Sequence, residues 1–243
     1  MIRTQALHWS RLALASLGLL LSTACSESHA KIVAPYVAEL DALRGRLAVL
    51  AALLPPPGSV HDSAARVLEP ALRLDTEERG GNAEAVMFEQ LADPEVDELP
   101  LDLHLARSLT TALAWTSVGR REDGNTGGDA GFMRELLESA RSLRYVIVHR
   151  VVAKEYPVAL DRKNFKGGWA EVEGVVFDLT DDSIVATYAF RAMSPPDVEF
   201  MAKGEDDRLA AMERFAWSGV YEAAREAAAT KLRELTGATV RIE

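Results

Sequence analysis

An α+β fold is predicted: an antiparallel sheet of three to four strands packed by a long C-terminal helix, behind a helical N-terminal half. Three observations predict it. Arg144 to Val152 is β-branched and nearly continuously apolar, which marks a strand covered on both faces. Thr180-Asp181-Asp182-Ser183 separates two further strand-like runs by a short turn, which implies an antiparallel hairpin. Glu205 to Leu235 has helical spacing and ends at Gly237.

Taken in order, the first element is a helix over Lys31 to Leu54. Its apolar residues Val33, Val37, Leu40, Leu43, Leu47, Leu50 and Leu54 step by three and four, and Pro55-Pro56-Pro57-Gly58 stops it. Residues 47–54 are almost wholly apolar and costly to leave in water, so the helix is expected to pack in the core. Ser63 to Leu68 reads as a short helix before Pro70. Asn82 caps either a short helix through Glu89 or precedes a strand at Ala85-Val-Met-Phe88. Leu103 to Trp115 and Phe132 to Leu143 read as helices.

The sheet is expected to follow. Trp169 to Leu179 sets Trp169, Glu171, Glu173, Val175 and Phe177 on one face. Ala170, Val172, Gly174 and Val176 occupy the other. Ile184 to Ala192 places Ile184, Ala186, Tyr188 and Phe190 together. The long helix carries a stripe of Leu209, Met212, Phe215, Val220, Ala224, Ala228, Leu232 and Leu235. This stripe is expected to bury Val146 and Val148, with Phe215 among their neighbours. Ala238 to Ile242 forms a last edge strand, and the helices pack on one face of the sheet.

The N-terminus has Arg3 and Arg11, an uncharged run Leu12 to Ala24, and then Cys25, the only cysteine in 243 residues. This is the layout of a signal peptide, and the run is shorter than the ~20 residues that span a bilayer. Leu21-Ser22-Thr23-Ala24-Cys25 resembles a bacterial lipobox. The resemblance implies cleavage before Cys25 and its modification with diacylglycerol and a further acyl chain such as palmitate. Ser26 follows the cysteine instead of an aspartate, which by the same resemblance implies an outer-membrane lipoprotein facing the periplasm. Residues 1–24 are then the signal peptide, 25–30 the tether and 31–243 one α+β domain, helical over 31–142 and sheet-plus-helix over 143–243. The five residues from Ser26 to Ala30 reach at most ~18 Å, so the body and its partner are expected near the same membrane.

Composition narrows the functions. A formal net charge of −10 leaves no broad basic face for nucleic acid. One cysteine excludes an internal disulfide, a thiolate zinc site and a CxxC pair. His29, His61, His104 and His149 show no metal-motif spacing, and His149 reads as a satisfied core histidine. Arg121 to Gly131 offers Asp123, Asn125 and Asp129 at calcium-loop spacing, yet Arg134 stands where a bidentate glutamate belongs. It reads as a Gly-rich interhelical loop. Asp161 to Trp169 is a local basic stretch that fits either an anionic partner or a soluble hairpin connection. Glu171 and Glu173 read as a solvated outer face, and Trp217-Ser218-Gly219 lies mid-helix, where a nucleophile is unusual.

Residues 136–242 loosely resemble a small α+β module. It is found in curli-secretion-type and penicillin-binding-protein-activator lipoproteins and in the N-terminal domain of the Tol translocation protein. The resemblance lies in Leu143 to Val151, Ala170 to Leu179, Ile184 to Tyr188 and the alanine-rich helix ending at Leu235-Thr-Gly. It implies binding or assembly without catalysis. The expectation is thus a non-enzymatic, cofactor-free lipoprotein that binds or scaffolds an envelope component. The alternative is a small-ligand or glycan-binding module using Trp169 and Tyr188 as stacking platforms, and a hydrolase is the third reading.

Overall fold

The computed structural model describes residues 28–65, 67–75, 81–93, 96, 99–101, 103, 108–120, 129–161, 164–197 and 205–241. Cys25 and the expected signal peptide, His104, residues 121–128 of the Gly-rich loop, and Arg162 and Lys163 of the basic stretch lie outside them.

The helices are α1 (His29–Val33), α2 (Val37–Leu53), α3 (Phe88–Ala92), α4 (Ser108–Ala114), α5 (Thr116–Gly119), α6 (Ala130–Arg141) and α7 (Glu205–Thr236). The strands are β1 (Ser63–Ala64), β2 (Arg73–Asp75), β3 (Ala83–Met87), β4 (Tyr145–Glu155), β5 (Val158–Ala159), β6 (Phe165–Lys166), β7 (Trp169–Asp178), β8 (Ser183–Met193) and β9 (Thr239–Arg241).

The main sheet has five strands in the order β1-β8-β7-β4-β3, antiparallel except where β3 runs parallel to β4. The fold class therefore holds, with one strand more than expected at each edge. The extra edges are short, locally weak segments. Ser63–Ala64 pairs with β8 where a helix over Ser63 to Leu68 was expected. The ambiguous run at Ala85 resolves as strand β3, followed at once by helix α3. Thr239–Arg241 pairs in parallel with β2, outside the main sheet.

Alternation along β4 divides the core. Tyr145 and Ile147 enter a cluster with Tyr188, Val220, Ala224 and Ala228 under α7. Val146 and Val148 enter a second cluster with Leu40, Leu47, Leu50, Leu109 and Leu137 from the N-terminal helices. The sheet is thus covered on both faces. This corrects the expectation of helices on one face, and the doubly apolar β4 is the physical reason. It also corrects the neighbours of Val146 and Val148, which lie opposite α7.

The predicted helix 31–54 is interrupted by a tight turn at Ala34–Tyr36, where Pro35 supplies no N–H. Its core packing is as expected for Leu40, Leu47 and Leu50, while Val49 and Leu53 stay exposed. On α7 the buried stripe is Met212, Ala216, Val220, Ala224, Ala228 and Leu232. Alanine there lets the helix axis approach the sheet closely. Phe215 is 47% exposed and Leu209 is exposed as well, a correction of the predicted stripe. Gly237 ends α7 in the left-handed region (φ +64°), which only glycine adopts without a Cβ penalty. Ile184 is also corrected. A register shift between Val176 and Phe177 sets Val176 opposite Ala186 and Phe177 opposite Ile184, leaving Val185 as the extra residue. This bulge turns Ile184 to the second cluster, away from Ala186 and Tyr188.

Candidate functional site

The buried polar groups are structural. Glu173 is 3% exposed, not solvated as expected. Its Oε2 accepts from Arg150 Nε at 2.7 Å, and its Oε1 accepts the Val60 N–H at 3.1 Å. The carboxylate therefore ties the segment after Pro57 to the sheet and is fully committed. Glu171 is half-exposed and pairs with Arg191 at 3.5 Å. The two glutamates are split between a buried strut and a surface pair, which gives no acid–base couple.

His149, Gly174 and Tyr188 stand at one level of β4, β7 and β8. A Cβ on Gly174 would lie 2.2 Å from Tyr188 Cζ, so the glycine opens the space in which the Tyr188 ring crosses β7. Tyr188 Oη then meets His149 Nε2 at 2.6 Å. Burial pushes the imidazole down to about 3, which keeps it neutral, and raises the phenol. His149 is the satisfied core histidine expected. Tyr188 is fully buried, so it is no stacking platform, a correction to the glycan reading. No motif spacing announces this trio; its one sequence signal is a glycine inside a strand pattern.

Asp129 caps α6, accepting the Phe132 N–H at 3.0 Å, which gives it a structural role at the end of the Gly-rich stretch. Asp178 is buried at the β7 turn. Burial opposes its ionisation, but hydrogen bonds from Thr180 and Arg144 outweigh that cost and hold its carboxyl below the ordinary range. Among the described residues no group of three His, Cys, Asp or Glu is placed to hold a metal ion. A groove between α2 and α6, lined by Tyr36, Leu40, Arg46, Leu137, Arg141 and Leu179, has a volume of about 130 Å³. Ligand pockets of roughly 300 Å³ and upward enclose most of a small molecule, and this groove is too small for that.

The far end of the sheet has a different character. Beyond the stretch covered by the N-terminal helices, β4 continues through Tyr156 into a ribbon of β5 and β6. Its turn is held by Asp161 and Asn164, whose N–H reaches Asp161 Oδ1 at 2.9 Å. Glu213 of α7 accepts the Ala159 N–H at 2.9 Å and fastens the ribbon to the helix. Tyr156 stacks obliquely on Trp217, with ring centroids 4.6 Å apart. Around this frame Tyr156, Val158, Leu160 and Leu209 are exposed, Leu160 by 68%, while Met193 is exposed on the opposite face of the sheet. Trp169 lies beside Met193. Arg191 covers one face of its ring at 4.0 Å, and its Nε1 donates to Glu155 at 3.0 Å. Lys166 of the basic stretch is paired with Glu155, so among its described residues the positive charge is answered locally. Periodicity could not announce this patch, because its members come from separate segments.

No family model matches the chain, and no curated protein matches it in sequence. Solved structures with some likeness include a Xanthomonas campestris protein of the DUF330 family, 13% identical with a TM-score of 0.22. That match covers 38% of this chain and 49% of the other, so the chain spans about half the length of this relative. A candidate lipoprotein from Caulobacter crescentus CB15 is 14% identical, with a TM-score of 0.27 over 45% of this chain and 87% of that one. The PelC dodecamer from Paraburkholderia phytofirmans is 15% identical, with a TM-score of 0.26 over 69% of this chain and 97% of its own. Likenesses this distant say nothing of what this chain binds.

Proposed function

We propose that the chain is a lipid-anchored protein of the bacterial envelope, held by acylated Cys25, that binds another envelope component through the apolar end of its sheet. The observation that carries the binding role is the exposure of the large apolar side chains Tyr156, Val158 and Leu160 along the β5–β6 ribbon. Scattered exposed leucines are ordinary on any surface, but a cluster held by a hydrogen-bonded ribbon supports an interaction site. The lipobox-like Leu21-Ser22-Thr23-Ala24-Cys25 supports the anchor, and Ser26 supports the outer membrane. Among the described residues no helix is long and apolar enough to cross a membrane. Packing of α2 against the sheet supports a body that stays close to its membrane, because that helix is not free to act as a stalk.

Two measurements test this reading. Replacing Cys25→Ala should move the chain from the membrane pellet to the soluble fraction; unchanged pelleting refutes the anchor. A photo-crosslinking residue at Val158 or Leu160 in cells should capture a partner that one at exposed Arg134, on α6, does not. Equal yields at both positions refute the patch.

A further inference from the structure

α2 turns Leu40, Leu47 and Leu50 to the core. On an ordinary surface helix the opposite face is charged or polar. Here it is Ala38, Ala42, Gly45, Val49, Ala52 and Leu53, all exposed, at helical steps. Val49 is 57% exposed and Leu53 49%. The charged side chains of α2 stand beside this strip, and each is engaged within the chain. Glu39 pairs with Arg141, Asp41 with Arg120 and Arg46 with Asp182, while Arg44 donates to Leu113 O. From Leu47 to Val60 no residue is charged. Gly45 sits in the middle of the strip. Glycine weakens a helix interior relative to alanine, and a Cβ at Gly45 would meet nothing within 4 Å. Packing within one chain gives no reason for a glycine there; close approach of another backbone does.

We propose that this outward face of α2 pairs with the same face of a second copy of the chain, antiparallel about a two-fold axis beside Gly45. The order of sizes along the strip sets the orientation. The large residues Val49 and Leu53 lie in its C-terminal half, and Ala38 and Ala42 in its N-terminal half. An antiparallel two-fold lays each half on the other, so that Val49 falls between Ala38 and Ala42 of the second copy. A parallel pair instead opposes Val49 to Val49 and leaves Ala38 facing Ala38 across a gap. At the axis the missing Cβ of Gly45 lets the helices approach to about 8 Å. Such a contact uses one self-complementary patch and closes on itself.

Area and tether length favour a second copy over other occupants. The 17 residues of α2 span about 25 Å, and a strip about 10 Å wide then buries on the order of 500 Å² over both copies. That is below the roughly 1,000 Å² that a stable complex of freely diffusing proteins needs, so the strip suits a partner already held beside it. Ser28, where the described chain begins, follows Cys25 by three positions. Acylated copies therefore carry α2 at one height in one membrane, which supplies the effective concentration. This step rests on the anchor proposed above. A bilayer is the poorer occupant. Alanine and glycine have little to insert, and α2 contains no lysine, tryptophan or tyrosine to hold it at an interface.

The test is disulfide trapping of the full chain in freshly lysed cells, membranes included. Gly45→Cys should give a dimer on oxidation, because the two-fold beside it brings the paired Cα atoms within disulfide reach. Arg134→Cys, exposed on α6, should not, nor should the wild type with Cys25 alone. Adding Val49→Glu to Gly45→Cys should abolish the dimer, since it buries a carboxylate between alanines. Val49 is exposed in the single chain, so this double variant should unfold in urea as Gly45→Cys does. A dimer that persists with Val49→Glu overturns the proposal. So does the absence of a dimer. If maleimide then labels the introduced thiol freely, the face is bare; if the thiol is shielded, a bilayer or a foreign protein covers it. Pelleting of the same samples scores the anchor separately, and the apolar ribbon does not enter, so failure of the pairing leaves the proposed function standing.

Discussion

Acid should weaken this fold through His149 well before it reaches the carboxylates. The imidazole is buried on β4 and bonded to Tyr188, and burial lowers it from an ordinary 6.5 to about 3. The unfolded chain therefore binds a proton that the folded chain refuses. Its contribution to stability is complete above pH 6.5 and falls as pH drops from there toward 3. Between pH 8 and pH 5 the loss is about 2 kcal/mol from this one group. Asp62, held low by its bond from Lys231, and Glu155, held low by Lys166 and Trp169, lose their contributions only below their ordinary 3.8 and 4.5. The window from pH 6.5 to 5 thus isolates the histidine from these acids. Urea denaturation followed by tryptophan fluorescence at pH 8, 7, 6 and 5 measures the slope. In His149→Gln, whose amide still reaches Tyr188 and does not titrate, the slope should flatten. A wild-type stability that stays level to pH 5, or a variant that keeps the wild-type slope, refutes the reasoning.

Further expectations follow from packing. Gly174→Ala drives a methyl into the buried Tyr188 ring and should cost about 1–3 kcal/mol in urea denaturation. Glu173→Ala leaves Arg150 without its carboxylate in a nearly buried site and releases the Val60 amide; a loss of about 3–5 kcal/mol is expected by the same measurement. Phe215→Ala should change stability by less than about 1 kcal/mol because the ring is exposed, whereas Ala224→Leu, beneath the helix, should cost about 1–3 kcal/mol. Asp129→Ala should cost about 0.5–2 kcal/mol, seen as a lowered thermal midpoint, through loss of the α6 cap.

Local pattern was enough to read several elements. The triple proline after Leu54 marks the end of α2, and Gly237 marks the end of α7, because both act on the backbone of their own turn. The β7–β8 hairpin followed from its short turn, whereas the continuous apolar run of β4 was a signal of cover on both faces that the expectation of helices on one face overrode. Periodicity names a face but no partner. It placed Val146 on a buried side, and only the assembled layers assigned that side to α2, α4 and α6 in place of α7. One bulged residue, Val185, reversed the face of Ile184 against strict alternation. Glu173 looked like a surface glutamate until Arg150, a residue 23 positions away, and Val60, 113 positions away, converged on its two oxygens. The short edge strands β1, β2 and β9 carry too few residues to show a period, and their pairing is fixed by the neighbours that long-range folding brings beside them. The sequence by itself determined α2, α6, α7 and the central strands. The tertiary structure decided which charges are buried and which apolar residues meet at the open end, because both depend on contacts between segments distant in the chain.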